Sequence, residues 1–254
     1  MNGHSAPVKS VAFNQDGSLL VSAADDKLVK IWDVHKRKFR QTLKGHANWV
    51  RTAHFSIDSR IVASGSDDRS IKLWDLSTES VINEFRDHSG MISSIKFHPD
   101  GTCLASAASD KKIKIFDCRS QRLLQHYDAH SKGVNSVSFH SNGFFLLSTS
   151  DDSTIKIWDL RKGQIMYTLY GHEGPSTTAN FSPLGDYFIS GGDDQNLVIW
   201  KSNLNGSTTE ILHGTTAAKV GTDIFVTDKA GIRDLPEDQR RDEGILQRKE
   251  LIQK

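Results

Sequence analysis

The feature that most constrains this 254-residue chain is a repeat of fixed length. A histidine recurs at His4, His46, His88, His130 and His172. A serine recurs at Ser22, Ser64, Ser106, Ser148 and Ser190, and an aspartate at Asp26, Asp68, Asp110, Asp152 and Asp194. An aromatic residue follows at Trp32, Trp74, Phe116, Trp158 and Trp200. Every series steps by 42 residues without insertion. A period of this size marks a modular array, in which one supersecondary unit buries its apolar surface against the next.

Each unit reads as four short strands. In the first, Val8–Phe13 alternates apolar and polar residues, and Asn14–Gly17 supplies turn chemistry. Leu19–Ala23 is a continuous apolar run of the kind buried on both faces. Asp25–Lys27 forms a tight turn, Leu28–Trp32 alternates again, and Phe39–Leu43 is an outer strand. Later outer strands fall near Val81–Phe85, Leu123–Tyr127, Ile165–Leu169 and Thr209–Leu212. Short strands punctuated this regularly by turns predict stacked four-stranded sheets.

The Gly-His opening and Trp-Asp closing of the unit, as in Gly45–Asp75, resemble the WD40 family over residues 3–213. The resemblance implies an all-β propeller with five four-stranded blades, at 4–45, 46–87, 88–129, 130–171 and 172–213. A sixth unit would need His near 214 and Asp near 236, where the chain has Gly214 and Pro236. Residues 214–254 therefore read as a non-repeat tail, polar over Thr215–Asp234. Over Pro236–Lys254 the tail is rich in charge and helix formers, so a short helix or disorder is expected there.

Composition narrows the function classes. A net charge of +1 gives no bulk attraction to nucleic acid or acidic membranes, and no apolar run reaches the roughly 18 residues of a membrane span. The first ten residues lack the apolar core of a signal peptide. Two cysteines, Cys103 and Cys118, are too few for a disulfide framework, so a reducing, cytoplasmic setting is expected. The basic cluster Lys27, Lys30, Lys36, Arg37, Lys38 and Arg40 reads as a solvated edge more than as a patch for acidic tubulin or RNA.

Serine, histidine and aspartate in fixed register invite comparison with a hydrolase triad. A nucleophile, however, is needed once, and this set recurs in every unit. The WD40 resemblance implies instead a structural tetrad in which indole, hydroxyl, imidazole and carboxylate bond in series. A fully paired buried network fixes one geometry. Phe116 lacks the indole N–H, so the third tetrad is expected to be weaker. Histidines 42 residues apart, without His-x-x-x-His or Cys-x-x-Cys pairing, do not read as metal ligands. GGDDQN at Gly191 lacks the spacing of a phosphate cradle, so neither cofactor nor metal is expected. No non-repeated polar cluster suggests an enzyme.

In WD40 proteins one propeller face commonly meets partners. By that resemblance the face is lined here by Pro7, Lys9 and Asp25; Trp49, Arg51 and Asp67; and Met91, Ser93 and Ser109. Gly133, Asn135 and Asp151, then Pro175, Thr177 and Asp193, complete it. A Trp beside an Arg is a pairing enriched in binding hot spots. Trp49 can serve as such an anchor or can pack between blades, and the sequence leaves both open.

Three segments, at Asn48–Ser56, Leu123–His140 and Leu169–Asn203, resemble centriolar WD40 proteins of the proteome of centriole family. That resemblance spans residues 4–206. It implies a non-enzymatic scaffold of centrosomes, centrioles and basal bodies that supports cilium formation and binds other centriolar or microtubule-associated proteins. It also implies a seven-bladed ring, of which this chain carries counterparts of the third to seventh repeats. An unclosed set of blades is expected to expose apolar faces and to favour self-association. An alternative is a substrate receptor of a cullin-4 ubiquitin ligase, since Trp158-Asp159-Leu160-Arg161 matches the short motif of such receptors.

Overall fold

The computed structural model describes residues 3–202, Leu204 and the backbone of 225–228 and 231–232. It is built of antiparallel sheets following one another in chain order. Blade 1 holds β1 (Val8–Phe13), β2 (Leu19–Ala24), β3 (Leu28–Asp33) and β4 (Lys38–Lys44). Blade 2 holds β5 (Val50–Phe55), β6 (Ile61–Ser66), β7 (Ile71–Asp75) and β8 (Ser80–Phe85). Blade 3 holds β9 (Ile92–Phe97), β10 (Cys103–Ala108), β11 (Lys112–Asp117) and β12 (Leu123–Asp128). Blade 4 holds β13 (Val134–Phe139), β14 (Phe145–Ser150), β15 (Thr154–Asp159) and β16 (Gln164–Tyr170). Blade 5 begins with β17 (Ser176–Phe181), β18 (Tyr187–Gly192) and β19 (Leu197–Lys201). The all-β, five-bladed architecture read from the repeat is the one observed.

The fifth blade departs from expectation. Thr209–Leu212, read as its outer strand, lies outside the described residues, as does the helix expected over 236–254. The place beside β19 is taken by β20 (Phe225–Asp228), with β21 (Gly231–Ile232) beyond it. Part of the segment read as tail therefore joins the last sheet. The physical reason is the open row of N–H and C=O groups along β19, which any nearby extended segment can pair. The β-favouring Phe-Val-Thr run of β20 is suited to it.

The turns explain the constancy of the period. After each repeated Asp comes a residue in the left-handed conformation: Lys27, Arg69, Lys111, Ser153 and Gln195, with φ between 64° and 70°. In the turn between the first two strands, glycine holds that conformation in four blades, at φ 73° to 79°, and Ser59 holds it in blade 2 at 58°.

Packing proceeds by pairs of blades. Val21, Ala23, Val29, Ile31 and Leu43 of blade 1 join Val50, Ala53, Phe55, Val62 and Trp74 of blade 2 in one apolar cluster. Equivalent clusters join blades 2 and 3, 3 and 4, and 4 and 5. The repeated aromatic of each later blade thus seals the core it shares with the blade before. The inner strands β1, β5, β9, β13 and β17 contact one another in that order.

The first blade is uncovered on its outer side. Val11 and Phe13 of β1 are 61% and 63% exposed, whereas the equivalents Ala53 and Phe55 of β5 are buried at 0% and 8%. On the fifth blade Tyr187, Ile189 and Leu197 are likewise exposed. One phenylalanine position therefore carries different energy in different repeats. Phe55→Ala is expected to cost about 3–5 kcal/mol and Phe13→Ala less than about 1 kcal/mol, read as shifts in urea midpoint at constant m. Equal costs would mean that the first blade is covered.

Candidate partner-binding face

The tetrads are fully drawn in four blades. Each His Nδ1 lies 2.8–3.1 Å from its Asp carboxylate: His4–Asp26, His46–Asp68, His130–Asp152 and His172–Asp194. Each Nε2 lies 2.7–2.9 Å from the serine Oγ, at Ser22, Ser64, Ser148 and Ser190. The indoles of Trp32, Trp74, Trp158 and Trp200 donate to the same Oγ at 2.7–2.9 Å. With the carboxylate ionised, the imidazole carries its proton on Nδ1. Its Nε2 then accepts the serine O–H, and the serine oxygen accepts the indole N–H.

In blade 3, His88 joins Asp110 at 2.8 Å and Ser106 at 2.7 Å. Phe116 has no N–H to give; Ser106 Oγ lies instead 3.2 Å from the Lys114 carbonyl oxygen. The Phe116 ring packs on Phe85 at 4.4 Å between centroids. A Cβ on Gly45 would stand 3.0 Å from the Trp74 indole, a tight contact, although blade 4 carries Ala129 at the same position beside Trp158. Before His88 the residue is Asp87.

These groups are braces and not catalysts. Ser64, Ser106 and Ser148 are 0% exposed, so no substrate reaches the hydroxyl, and in Ser64 and Ser148 its proton is given to the histidine and the oxygen accepts the indole N–H. Burial opposes ionisation of Asp68, but the His46 ring and Ser70 hydroxyl outweigh it and hold the carboxyl well below the usual range. Asp110 is lowered to about 2 because the bond and charge of His88 outweigh its burial. Burial pushes His130 down to about 4 against the pull of Asp152.

The face itself is assembled by one backbone bond per blade. The N–H of the residue before each tetrad Asp donates to the carbonyl three residues after the His. The pairs are Asp25 to Pro7, Asp67 to Trp49, Ser109 to Met91, Asp151 to Gly133 and Asp193 to Pro175, at 2.9–3.1 Å. Residues distant in sequence are thereby set side by side on the face reached by the starts of the inner strands.

Its side chains are not equivalent. In blade 1 Lys9 lies 3.3 Å from Asp25. In blade 2 the Arg51 guanidinium grips Asp67 through Nε at 2.8 Å and Nη2 at 2.7 Å. The bond to Asp67 raises the Arg51 pKa against the effect of burial, with Asp25 adding to the field. The same guanidinium sits 5.1 Å from the centroid of the Trp49 ring. Trp49 is 45% exposed and Met91 47%, so Trp49 stands on the surface and does not pack between blades. In blade 3 Ser109 Oγ accepts the Met91 N–H, and Ser93 donates to the carbonyls of Ala107 and Val134. Asn135 bridges Asp151 and the Ser176 carbonyl at 2.8 and 3.0 Å. Thr177 donates to the Gly191 carbonyl, and Asp193 is exposed.

Two sets of residues escaped sequence reasoning, although both repeat. Lys30, read as part of a solvated basic edge, donates to the Gly3 carbonyl. Lys114 and Lys156 do the same to Asp87 and Ala129, at 2.7 and 2.8 Å, so this lysine ties the third strand to the residue before the tetrad His. His98 and His140 donate from Nε2 to the Gly143 and Gly185 carbonyls of the next blade, at 2.9 and 3.1 Å. The guanidinium of Arg161 is folded onto Asp159 at 3.1–3.2 Å and over the Phe144 ring at 4.7 Å. That geometry commits the side chain within the chain.

The sequence model for the WD domain, G-beta repeat, matches residues 1–33, 37–75, 79–117, 121–159 and 163–201. The chain belongs to the WD40 repeat family. Short stretches also match curated relatives. A WD repeat-containing protein SL1-17 of Schistosoma mansoni is 56% identical over 34 residues, 13% of this chain and 11% of that protein. Nuclear distribution protein PAC1 of Coprinopsis cinerea is 46% identical over 43 residues, 17% and 10% of the two chains. A Periodic tryptophan protein 2 homolog of Schizosaccharomyces pombe is 54% identical over 35 residues, 14% and 4%. The matches thus span about a tenth or less of each relative, roughly the length of one repeat. They support the repeat and a protein-binding class of function.

Two expectations follow. Ser64→Ala strands both the Trp74 indole and the His46 imidazole and is expected to cost about 2–4 kcal/mol. Ser106→Ala strands only His88 and is expected to cost about 1–3 kcal/mol, both read by urea unfolding. Acidification destabilises through the buried imidazoles: His130 titrates at about 4 and His54 at about 3 in the fold, against about 6.5 unfolded. Between those values the unfolded chain binds more protons, so stability is full above about 6.5 and falls as pH drops toward 4. Melting temperature measured from pH 7 to 4 should fall steadily, and less steeply in His54→Gln.

Proposed function

We propose that this chain is a non-catalytic protein-interaction scaffold whose partner seats on the face centred on Trp49, Arg51 and Met91. The observation that carries this reading is the exposed Trp49 ring held under the Arg51 guanidinium, which Asp67 in turn holds by two hydrogen bonds. A surface Trp that is already oriented loses little freedom when it is covered, and Trp and Arg are the residues that dominate interface energy. Lys9, Asp25, Asn135, Asp151 and Asp193 form the polar surround of that anchor in this reading.

The setting we assign is the centriole and basal body, with centriolar or microtubule-associated proteins as partners. The support is the likeness of Asn48–Ser56, Leu123–His140 and Leu169–Asn203 to centriolar WD40 proteins. Proximity labelling with the full chain in ciliated cells tests it. Label concentrated at centrioles supports the setting, and diffuse cytosolic label overturns it. For the face, Trp49→Ala and Arg51→Ala are expected to weaken capture of the labelled partners by about 30-fold, the loss of a hot spot worth about 2 kcal/mol, with unchanged melting temperature in Trp49→Ala and a lowered one in Arg51→Ala, which leaves Asp67 unpaired. Undiminished capture by both variants would remove the face from the reading.

A further inference from the structure

Inner strands run from the Trp49 face to the opposite face, where they end in the turns that lead to the second strands. There the turns of blades 1, 2 and 3 enclose a cavity of about 260 Å³. Its polar lining is Asn14, Gln15, His54, Ser56, Lys96 and His98, and no carboxylate among the described residues lines it. The two families of braces already described leave this cavity unaccounted for.

The lining divides into committed and free groups. Asn14 donates to Ser18 and Ser59 and accepts the Leu19 N–H. Ser56 donates to Asp58 at 2.6 Å and accepts the Ile61 N–H at 3.1 Å. His98 spans from the Gly143 carbonyl to Asp100, whose carboxylate stands 2.7 Å from its Nδ1. The side chains of Gln15, His54 and Lys96 have no hydrogen bond or ion pair to any described residue. Lys96 is half-buried, and burial lowers its pKa with no neighbouring acid to oppose the shift. Burial lowers His54 to about 3, and the Lys96 charge adds to the effect. The imidazole is therefore neutral and able to donate one N–H, beside a cation that lacks a counter-charge. The half-buried ammonium without a counter-charge leaves this cavity net positive among the described residues.

A brace would recur with the period, and this cluster does not. The positions equivalent to Lys96 are Ala12, His54, Ser138 and Asn180. Only one blade supplies a cation, and only its neighbour supplies an imidazole.

We propose that this cavity is an oxyanion site that takes the carboxylate side chain of an acidic segment of a partner protein, with Lys96 as counter-charge and His54 and Gln15 as N–H donors. The single free positive charge matches a carboxylate monoanion. A phosphate dianion would leave excess negative charge, because the His54 imidazole is neutral and His98 already faces Asp100. The site lies on the face opposite Trp49 and Arg51, so it stands or fails separately from the reading of that face.

The test is a nuclear magnetic resonance titration of the full chain, following the His54 ring signals. The probes are a blocked tetraglutamate peptide, a blocked tetraglutamine peptide and inorganic phosphate, at equal ionic strength. A saturable shift with tetraglutamate is expected, weakened at least about tenfold in Lys96→Met and retained in Lys96→Arg, which separates loss of charge from loss of fold. Absence of a saturable shift, an equal response to tetraglutamine, persistence of the shift in Lys96→Met, or tighter binding of phosphate than of tetraglutamate would each overturn the assignment.

Discussion

The fold depends on a hydroxyl group placed between an indole and an imidazole. Ser64 Oγ accepts from Trp74 and bonds to His46, each at 2.7 Å, in a position closed to water. That small group decides where a large one lies. The indole it holds is also the apolar plug of the core between blades 1 and 2, so a polar bond within one blade sets the packing between two. The repetition of this device explains why the period tolerates no insertion. One extra residue between Ser and Asp, or between Asp and Trp, would turn the following side chain to the other face of its strand. Blade 3 shows that the two roles are separable: Phe116 keeps the plug, stacked near Phe85, and gives up the bond.

The same turn that completes the brace builds the surface. The second residue of each Asp-Asp pair bends inward to the histidine. The first is held by its backbone N–H against the start of the inner strand and turns its side chain to the face, where Asp25, Asp67 and Asp151 pair with Lys9, Arg51 and Asn135. A constant frame therefore presents variable side chains. Around it the charge pattern drifts from the ion pairs of blades 1 and 2, through serines in blade 3, to Asp151 and Asp193 with neutral neighbours Asn135 and Thr177. Structural demand repeats with the blade, so departures from the repeat are where specificity is to be sought. Trp49, Arg51, Met91 and Lys96 are all departures of this kind.

Much of this was legible in the residues. Turn chemistry, alternation and the Gly-His and Trp-Asp pairs marked the strands within a residue or two of their observed limits, because each signal is local. The lysine series Lys30, Lys114 and Lys156 was present with the same period, yet a lysine on an alternating strand reads as solvated. Its bond to a carbonyl 27 residues earlier has no local signature. The pairing of β20 with β19 was not legible for a related reason. The strand that pairs with β19 is chosen by which segment reaches its open edge, and the distance along the chain does not decide it.

The sequence alone determined the repeating unit and its four strands, because these follow from side-chain alternation and turn geometry within 42 residues, while the buried brace and the outward positions were implied by the resemblance to WD40 proteins. Tertiary structure decided what each equivalent position is worth. Phe13 and Phe55 occupy the same place in their repeats and differ only in whether a blade covers them. Trp49 became a surface group, and His54 and Lys96 became a pair without a counter-ion, only when neighbouring blades were set beside them. Burial and the fields of nearby charges are properties of the stacked blades, and no single repeat contains them.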